Sequence, residues 1–496
     1  MLARSRSGAY RRQALRRTHR PLTLTAILLS LFMAAIEATV VSTAMPTVVG
    51  DLGGVHLYAW VFTAYLLSST ITVPIFGKLA DLYGRKPILL VGTVLFTLGS
   101  VACGLSTEML QLVICRAFQG LGAGALQPIT LTVVGDIYSL EERARIQGLT
   151  GAVWGVSGLL GPMVGGYLTE LLSWHWIFFL NVPFGVLAGV LFALFFHEGP
   201  TARRKVPLDL PGAALLGAGL LLLLLATERP SWGIWPYLVV AAIAWLFVWV
   251  ERRAEEPILP PALFSRPAIA TTAVATTFFG ATVLATTTYV PLYLQAVSGA
   301  SAAEAGRAIT PMLIGWPLFS TISGRVIPRI GFRLPVRLGY FAATLAACGL
   351  ALHLGSGEPT LLLPALMFLL GCGLGFANTG LILLVQTSVP WELRGVATAS
   401  TMFFRTIGGA VAVAAVGSLL VSRLARVPSA THAIIDSFLG PTHGEGMTRE
   451  LLESLGAALA EALTTGFWIV AALTAAGFFV AIFFPADPIT AARAKR

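Results

Sequence analysis

Fourteen times along this chain an apolar run of roughly 20 residues is interrupted by a short charged or turn-forming break. The runs do not alternate polar with apolar residues, as half-buried strands would, so each is read as a helix. Such helices have few polar faces to offer water: only 11% of the residues are charged and 56% are hydrophobic, against roughly a quarter charged in soluble domains. Lipid removes that difficulty, and it accepts only helices or closed barrels, because every backbone group must be satisfied within the protein. The expected fold is an all-α polytopic membrane protein. Its spans lie near residues 22–45, 57–77, 87–106, 109–134, 146–168, 175–196, 209–227, 233–250, 268–296, 306–326, 335–354, 359–386, 395–422 and 462–484.

Charge then fixes the direction of the spans. Of the 33 Lys and Arg, only Arg229, Arg307, Arg423, Arg426 and Arg449 fall in odd-numbered loops, and Arg116 and Arg405 lie inside spans. The remainder crowd the N-terminal stretch, the even-numbered loops and the C-terminal tail, which places both termini in the cytoplasm by the positive-inside rule. The net charge of +10 is spread over these loops with no concentrated patch, so nucleic acid is not an expected partner. The Arg-rich start has no small-residue cleavage site after its apolar run and reads as the flank of a retained first helix. Cys103, Cys115, Cys348 and Cys372 sit in apolar segments without metal-ligand spacing and read as small buried hydrophobes.

The sequence also repeats. Gly77-Lys-Leu-Ala-Asp81-Leu-Tyr-Gly84-Arg85-Lys86 follows the second span, and Gly324-Arg-Val-Ile-Pro328-Arg329-Ile-Gly331-Phe-Arg333 follows the tenth, 247 residues on. Glu142-Arg143 before the fifth span is matched by Leu393-Arg394 before the thirteenth, at an offset of 251. Two matches at nearly one offset indicate a duplicated half. Helices 1–6 then correspond to 9–14 with a pair outside the repeat, a 6+2+6 plan. The expected organisation is a basic tail (1–20), a six-helix bundle (21–200), two inserted linker helices (201–262), a second six-helix bundle (263–486) and a short tail (487–496). Repeated bundles around a midplane site are a transporter architecture.

Several residues are conspicuous within this frame. Glu37 is an acid in mid-span of the first helix, where a bare carboxylate costs about 2.5–3.5 kcal/mol. Arg116 lies near the middle of the fourth span and keeps its charge. Desolvation favours the neutral acid and a nearby guanidinium favours the carboxylate, so moving Arg116 would load or release a proton at Glu37. Gly120, Gly122 and Gly124 sit in an apolar helix with no preceding strand and read as a packing face rather than a nucleotide loop. Gly158, Gly161, Pro162, Gly165 and Gly166 combine a lost backbone hydrogen bond with a smooth face, permitting a bend and close contact with the other half. Arg405, about eleven residues into the thirteenth span, is expected to face a cavity or pair across an interface.

Taken together, the stretch Gly77–Lys86, the run Arg116-Ala-Phe-Gln119-Gly120-Leu-Gly122-Ala-Gly124 and the run Gly158–Gly166 resemble the signature, proton-linked and antiporter motifs of the major facilitator superfamily. Ile36-Glu37-Ala-Thr39 through Pro46, with Trp174-His-Trp176 through Asn181-Val-Pro183, resembles its fourteen-helix drug:proton antiporter branch, where Asp is usual at the place of Glu37. The resemblance implies the major facilitator fold. It also implies proton coupling at Glu37 and Arg116, and a cytoplasmic gate formed by Gly77, Asp81, Gly84, Arg85, Lys86 and Asp136, asymmetric because Pro328 replaces the acid in the second copy. Gln119, Arg405, Tyr65, Gln127, Asn181, Tyr289, Tyr293, Gln295, Trp316, Asn378 and Gln386 are the candidates to line a substrate path, and each of the last nine taken singly fits helix–helix glue better than a substrate contact.

No phosphate-binding loop, catalytic constellation, metal site or cofactor site is found, so an enzyme is not expected. Energy would come from an ion gradient, about 2.3 kcal/mol per charge per 100 mV plus about 1.4 per pH unit. Residues 423–461 form an external segment in which Leu451, Leu455, Ala458, Leu459 and Ala462 mark an amphipathic helix running into the last span, projecting outside the membrane or lying on it. The expected function is proton-coupled export of hydrophobic or amphipathic compounds by a monomer in a bacterial cell membrane, in contact with its lipids. The alternatives are export of lipids or lipid-like envelope components, a non-transporting sensor, or proton-linked uptake.

Overall fold

A helix stands at every one of the fourteen apolar stretches in the computed structural model, which describes residues 18–54, 57–198, 209–228, 232–300, 302–356, 362–428, 434 and 448–484. The helices are α1 (Arg20–Leu52), α2 (Tyr58–Tyr83), α3 (Arg85–Gly104), α4 (Met109–Ile137), α5 (Leu140–Leu171), α6 (Asn181–Phe195), α7 (Leu210–Glu228), α8 (Trp235–Glu251), α9 (Pro267–Ala296), α10 (Ala302–Ile330), α11 (Arg333–Ser356), α12 (Leu363–Ser388), α13 (Arg394–Leu424) and α14 (Arg449–Ile482). The basic tail up to residue 17, the basic run 203–205, Arg229, most of the expected external loop (429–433 and 435–447) and the C-terminal tail from residue 485 lie outside the described residues.

Ten of these helical stretches are long and apolar enough to cross a membrane, among the described residues: α1 to α4, the run Trp176–Phe195 that ends in α6, α9, and α11 to α14. The count expected from the sequence was fourteen. α7 and α8 fall short by length. α5 and α10 are long, at 32 and 29 residues, but their charges, glycines and prolines dilute them; α10 alone holds Arg307, Arg325, Arg329 and three prolines. α5 starts earlier than apolarity suggests because Ser139 and Glu142 close a capping box at its N-terminus.

The chain forms two compact units, one from Met1–Leu222, Tyr237–Ala270 and Ile382–Phe403, the other from Leu223–Pro236, Thr271–Leu381 and Phe404–Arg496. Within the first, α4 is wedged between α2 and α3 through alternating glycines. A Cβ on Gly120 would lie 2.0 Å from Ser68 Oγ, one on Gly122 2.3 Å from the Phe96 nitrogen and one on Gly124 2.1 Å from Thr72 Oγ1. Within the second, α12 repeats the arrangement between α10 and α11. Gly371 abuts the Met312 carbonyl, Gly373 the Gly339 carbonyl and Gly375 the Trp316 carbonyl, each with room for no side chain. The three glycines are displaced by 251 residues, and the partners shared by the two sets (Tyr65 and Met312, Ser69 and Trp316, Gly92 and Gly339) by 247. Those are the two offsets at which the connecting loops match. Backbones brought this close gain dispersion and interhelical contacts that lipid cannot supply.

Candidate functional site

Glu37 and Arg116, 79 residues apart in sequence, meet in the first unit as a buried ion pair: Arg116 Nη1 donates to Glu37 Oε1. The other carboxylate oxygen accepts from Asn181 Nδ2. Asn181 reaches it because the helix is interrupted at Leu180, between a one-turn helix (Trp176–Phe179) and α6, which leaves Asn181 as the first residue of α6. The guanidinium also donates from Nη1 to Gln119 Oε1 (2.7 Å) and from Nε to the Val61 carbonyl (3.2 Å), and it lies 4.2 Å from the centre of the Tyr65 ring. Gln119 passes the chain on to Ser100 Oγ at 2.7 Å. A buried pair is held against its desolvation cost only by such saturation, and removal of one partner costs about 3–5 kcal/mol. Asn181 Oδ1 alone in the cluster is buried without a hydrogen-bond partner.

α5 runs unbroken through Pro162. Its glycines close on α1 of the same unit, not on the other half as the sequence suggested: a Cβ on Gly161 would lie 2.0 Å from Thr39 Oγ1, and one on Gly165 2.2 Å from Thr43 Oγ1. Thr39 Oγ1 also donates to the Ser157 carbonyl at 3.1 Å, so the helix that carries Glu37 is keyed to α5 two residues beyond the acid. Gly166 has open space in front of it, and Gly158 lies on the same helix.

A second cluster surrounds the turn between α2 and α3. Gly84 holds φ at 102°, a conformation that favours glycine, and so lets α3 begin directly after α2 ends. Asp81 accepts from Arg85 Nη2 (2.7 Å) and from the backbone N–H groups of Gly395 (2.9 Å) and Val396 (2.8 Å) at the start of α13. An acid at a helix N-terminus is stabilised by the exposed N–H groups and the helix dipole. Arg85, fully buried, stacks 3.8 Å from the Trp391 ring centre, donates to the Trp391 carbonyl at 2.8 Å and pairs with Asp136 at 3.1 Å. Asp136 also pairs with Arg394 at 3.2 Å. Gly77 makes the approach possible, since a Cβ there would strike Ala399 Cβ at 2.4 Å. Gln386, expected on a substrate path, instead belongs here: its amide donates to the Leu131 carbonyl at 3.1 Å and fills the space before Gly135. Lys86 turns away from the acids and donates to the Ala193 carbonyl at 2.7 Å.

Two acids outside the sequence expectations complete this region. Glu198, just beyond α6, accepts from the backbone N–H groups of Arg85 (2.9 Å) and Lys86 (3.0 Å), capping α3 from a distance; burial pushes its carboxyl above the usual range, opposed by those two hydrogen bonds. Glu256, in the connection after α8, pairs with Lys78 at 2.5 Å beside a small cleft lined by Pro257, Pro260, Leu263 and Leu393. Neither has a local sequence signal, because each acts through a backbone or side chain more than 100 residues away.

In the second unit the tyrosines join helices: Tyr289 Oη donates to the Val413 carbonyl at 2.5 Å, and Tyr293 Oη to the Leu354 carbonyl. Trp316 meets Phe279 edge-on at 5.3 Å, and the Arg405 guanidinium sits over both rings. Gln127, Gln295 and Asn378 are half-buried on α4, α9 and α12. No group of metal-binding side chains occurs among the described residues.

The sequence pattern of the Major Facilitator Superfamily matches residues 27–413. The chain is 34% identical to the multidrug transporter protein MdtP of Bacillus subtilis over 418 residues, 82% of this chain and 76% of that one. It is 35% identical to an uncharacterized MFS-type transporter of Mycobacterium tuberculosis over 487 residues, 95% of this chain and 70% of that one. Its fold is similar to that of the human organic anion transporter MFSD10, with a TM-score of 0.64 at 16% identity over 93% and 99% of the two chains. It is likewise similar to the proton:xylose symporter XylE, with a TM-score of 0.62 at 14% identity over 96% and 97%. A helical membrane fold, a family match over most of the chain and multidrug-transporting relatives agree: this chain belongs to the Major Facilitator Superfamily and is a transporter of small molecules rather than an enzyme.

Proposed function

We propose that the chain is a proton-coupled exporter of hydrophobic or amphipathic compounds, of the fourteen-helix drug:proton antiporter type. Its helices would be arranged 6+2+6, with both termini in the cytoplasm of a bacterial cell. The observation that carries this reading is the buried cluster of Glu37, Arg116, Asn181 and Gln119. Glu37 is the proton carrier. Ionised, it is matched by Arg116 and by the Asn181 amide N–H; protonated, it needs an acceptor, and rotation of the Asn181 amide presents the idle Oδ1. Arg116 keeps its charge in both states, and its hold on the Val61 carbonyl and the Tyr65 ring ties that charge to α2. A shift of α2 or α4 during alternating access would therefore change which form of Glu37 is favoured.

The cluster around Asp81, Arg85, Trp391 and Asp136 serves as the cytoplasmic latch. Its charge-assisted hydrogen bonds connect the α2–α3 turn to the start of α13 and would have to part each time the transporter opens inward. The multidrug-transporting relatives favour export over uptake. The test is transport of a fluorescent amphiphile by protein reconstituted in liposomes. Imposing a pH gradient should drive it against its concentration gradient, and Glu37→Gln should abolish the gradient dependence while leaving passive exchange. Transport that ignores the gradient in the wild type overturns the reading.

A further inference from the structure

Two buried arginines of the first unit pair with acids: Arg116 with Glu37, and Arg85 with Asp81 and Asp136. The second unit holds a contrast. Arg405 lies eleven residues into α13, in mid-helix, and has neither a hydrogen bond nor an ion pair among the described residues. Its guanidinium is half-buried and rests 5.0 Å from the Phe279 ring centre on α9 and 5.4 Å from that of Trp316 on α10, two rings that are themselves edge-to-face. The position is rigidly set from behind. A Cβ on Gly280 would lie 1.8 Å from the Arg405 carbonyl, and Gly408, three residues on, abuts the Thr277 carbonyl just as closely, so α13 cannot slide on α9.

An arginine does not shed its charge when desolvated. Aromatic faces offset part of that cost, but they leave all five N–H donors of the fork unused. A fixed fork with idle donors at the depth of a membrane is matched by a planar or tetrahedral oxyanion, which takes two parallel hydrogen bonds. The rings flanking it suit an apolar body attached to that oxyanion. We propose that Arg405, cradled by Phe279 and Trp316, is the recognition point for the anionic group of an amphipathic substrate. This rests on the reading of the chain as an exporter of amphipathic compounds and narrows it to those carrying a carboxylate, sulfonate or phosphate.

The test uses purified full-length protein in phosphatidylcholine nanodiscs at neutral pH with no gradient. Three fluorescent probes share one ring system: 9-anthracenecarboxylate, 9-anthracenecarboxamide and 9-(aminomethyl)anthracene. The carboxylate should bind roughly tenfold tighter than the amide, the scale of one added charge-assisted bidentate contact. Arg405→Gln should bring carboxylate binding down to the level of the amide, and Arg405→Lys should restore part of the difference. Equal binding of carboxylate and amide by the wild type overturns the proposal. So does a preference that survives Arg405→Gln, or a parallel loss of all three probes in that variant but not in Arg405→Lys, which marks a structural role. Adding phosphatidylglycerol to the nanodiscs separates the sources: competition with the carboxylate assigns the site to a lipid headgroup, and its absence to a free organic anion. In liposomes, gradient-driven efflux of the amide with no carboxylate preference sinks this proposal alone. A preference that persists without any gradient dependence of efflux sinks the coupling reading alone.

Discussion

α4 and α12 are the same helix in two settings. Both place three glycines at every second residue, wedge them between two neighbouring helices and meet equivalent partners at fixed offsets of 251 and 247 residues. Yet Arg116 in α4 stands where α12 has Met367, and both side chains are buried. The packing face of the repeat is thus shared while its chemistry is not. The first unit places ion pairs on α1 to α4, whereas in the second Arg405 of α13, at the position that Trp154 occupies in α5, rests on two rings with no ion pair among the described residues. Backbone-to-backbone packing constrains a fold wherever it occurs, so glycine register persists in both copies. A buried charge, by contrast, is retained only where a partner or a task accompanies it.

The sharpest way to break this contrast is to make the first copy resemble the second. Arg116→Met carries the residue of α12 into α4 and strands Glu37 among apolar neighbours, with an expected loss of about 3–5 kcal/mol, the cost of orphaning a buried ion. Yield after extraction and thermal stability should both collapse. Adding Glu37→Gln should recover most of the stability, because a neutral amide and a thioether need no counter-ion, while gradient-driven transport stays absent. Should Arg116→Met alone fold and transport normally, the pair has no role in either.

Next in size is the shared feature. Gly122→Ala and Gly373→Ala each force a methyl into backbone at 2.3 and 2.5 Å. Overpacking of this kind costs about 1–3 kcal/mol, and the two variants should lose similar amounts of thermal stability. Gly166→Ala, with nothing within 4 Å, should lose nothing. Unequal effects of the first two would show that the register is inherited but no longer used alike.

The latch separates the copies again, since Pro328 replaces Asp81 in the second. Asp81→Asn keeps the shape but gives up the charge that Arg85 and the N-terminus of α13 share. The expected loss is about 1.5–3 kcal/mol, the worth of hydrogen bonds to an ionised group. It should be read as faster exposure of a cysteine introduced on the inner face of α2. Pro328→Ala should change that exposure little.

What the sequence made legible follows from the same distinction. Helix positions and the repeat are written in local composition, and Glu37 and Arg116 stand out because charges inside apolar runs are conspicuous. The motif glycines were legible as a packing face, but not which helix they would meet: Gly161 and Gly165 close on Thr39 and Thr43 of α1. Gln386 shows the limit most plainly. A polar residue in an apolar helix looks the same whether it lines a path or donates to the Leu131 carbonyl beside the α2–α3 turn. The four stretches that fall short of a spanning helix by length or apolarity were counted from the runs alone, and charges and prolines inside α10 are invisible to a reading that looks for breaks between runs. Glu198 and Glu256 were missed because backbone capping and ion pairing over 113 and 178 residues leave no pattern along the chain.

Glu198 supplies the smallest expected effect and the one with a defined pH signature. The carboxyl binds its proton more tightly when folded than when unfolded, because burial outweighs the two backbone N–H bonds from Arg85 and Lys86. Between the ordinary carboxylate value of 4.5 and that raised value, the folded protein holds more protons than the unfolded chain. Stability contributed by this group is therefore fully present at low pH and declines as pH rises through the window, levelling off once Glu198 is ionised in both states. Thermal midpoints of the wild type measured in small pH steps upward from 4.5 should show this decline, and Glu198→Gln should flatten it. The amide oxygen can still accept one of the two N–H groups, so the variant should differ from the wild type by only about 0.5–1.5 kcal/mol at neutral pH. A slope that is identical in Glu198→Gln would place the titrating group elsewhere. A slope of opposite sign would mean that the hydrogen bonds at the start of α3 dominate over burial, and that the carboxylate is the form the turn is built to hold.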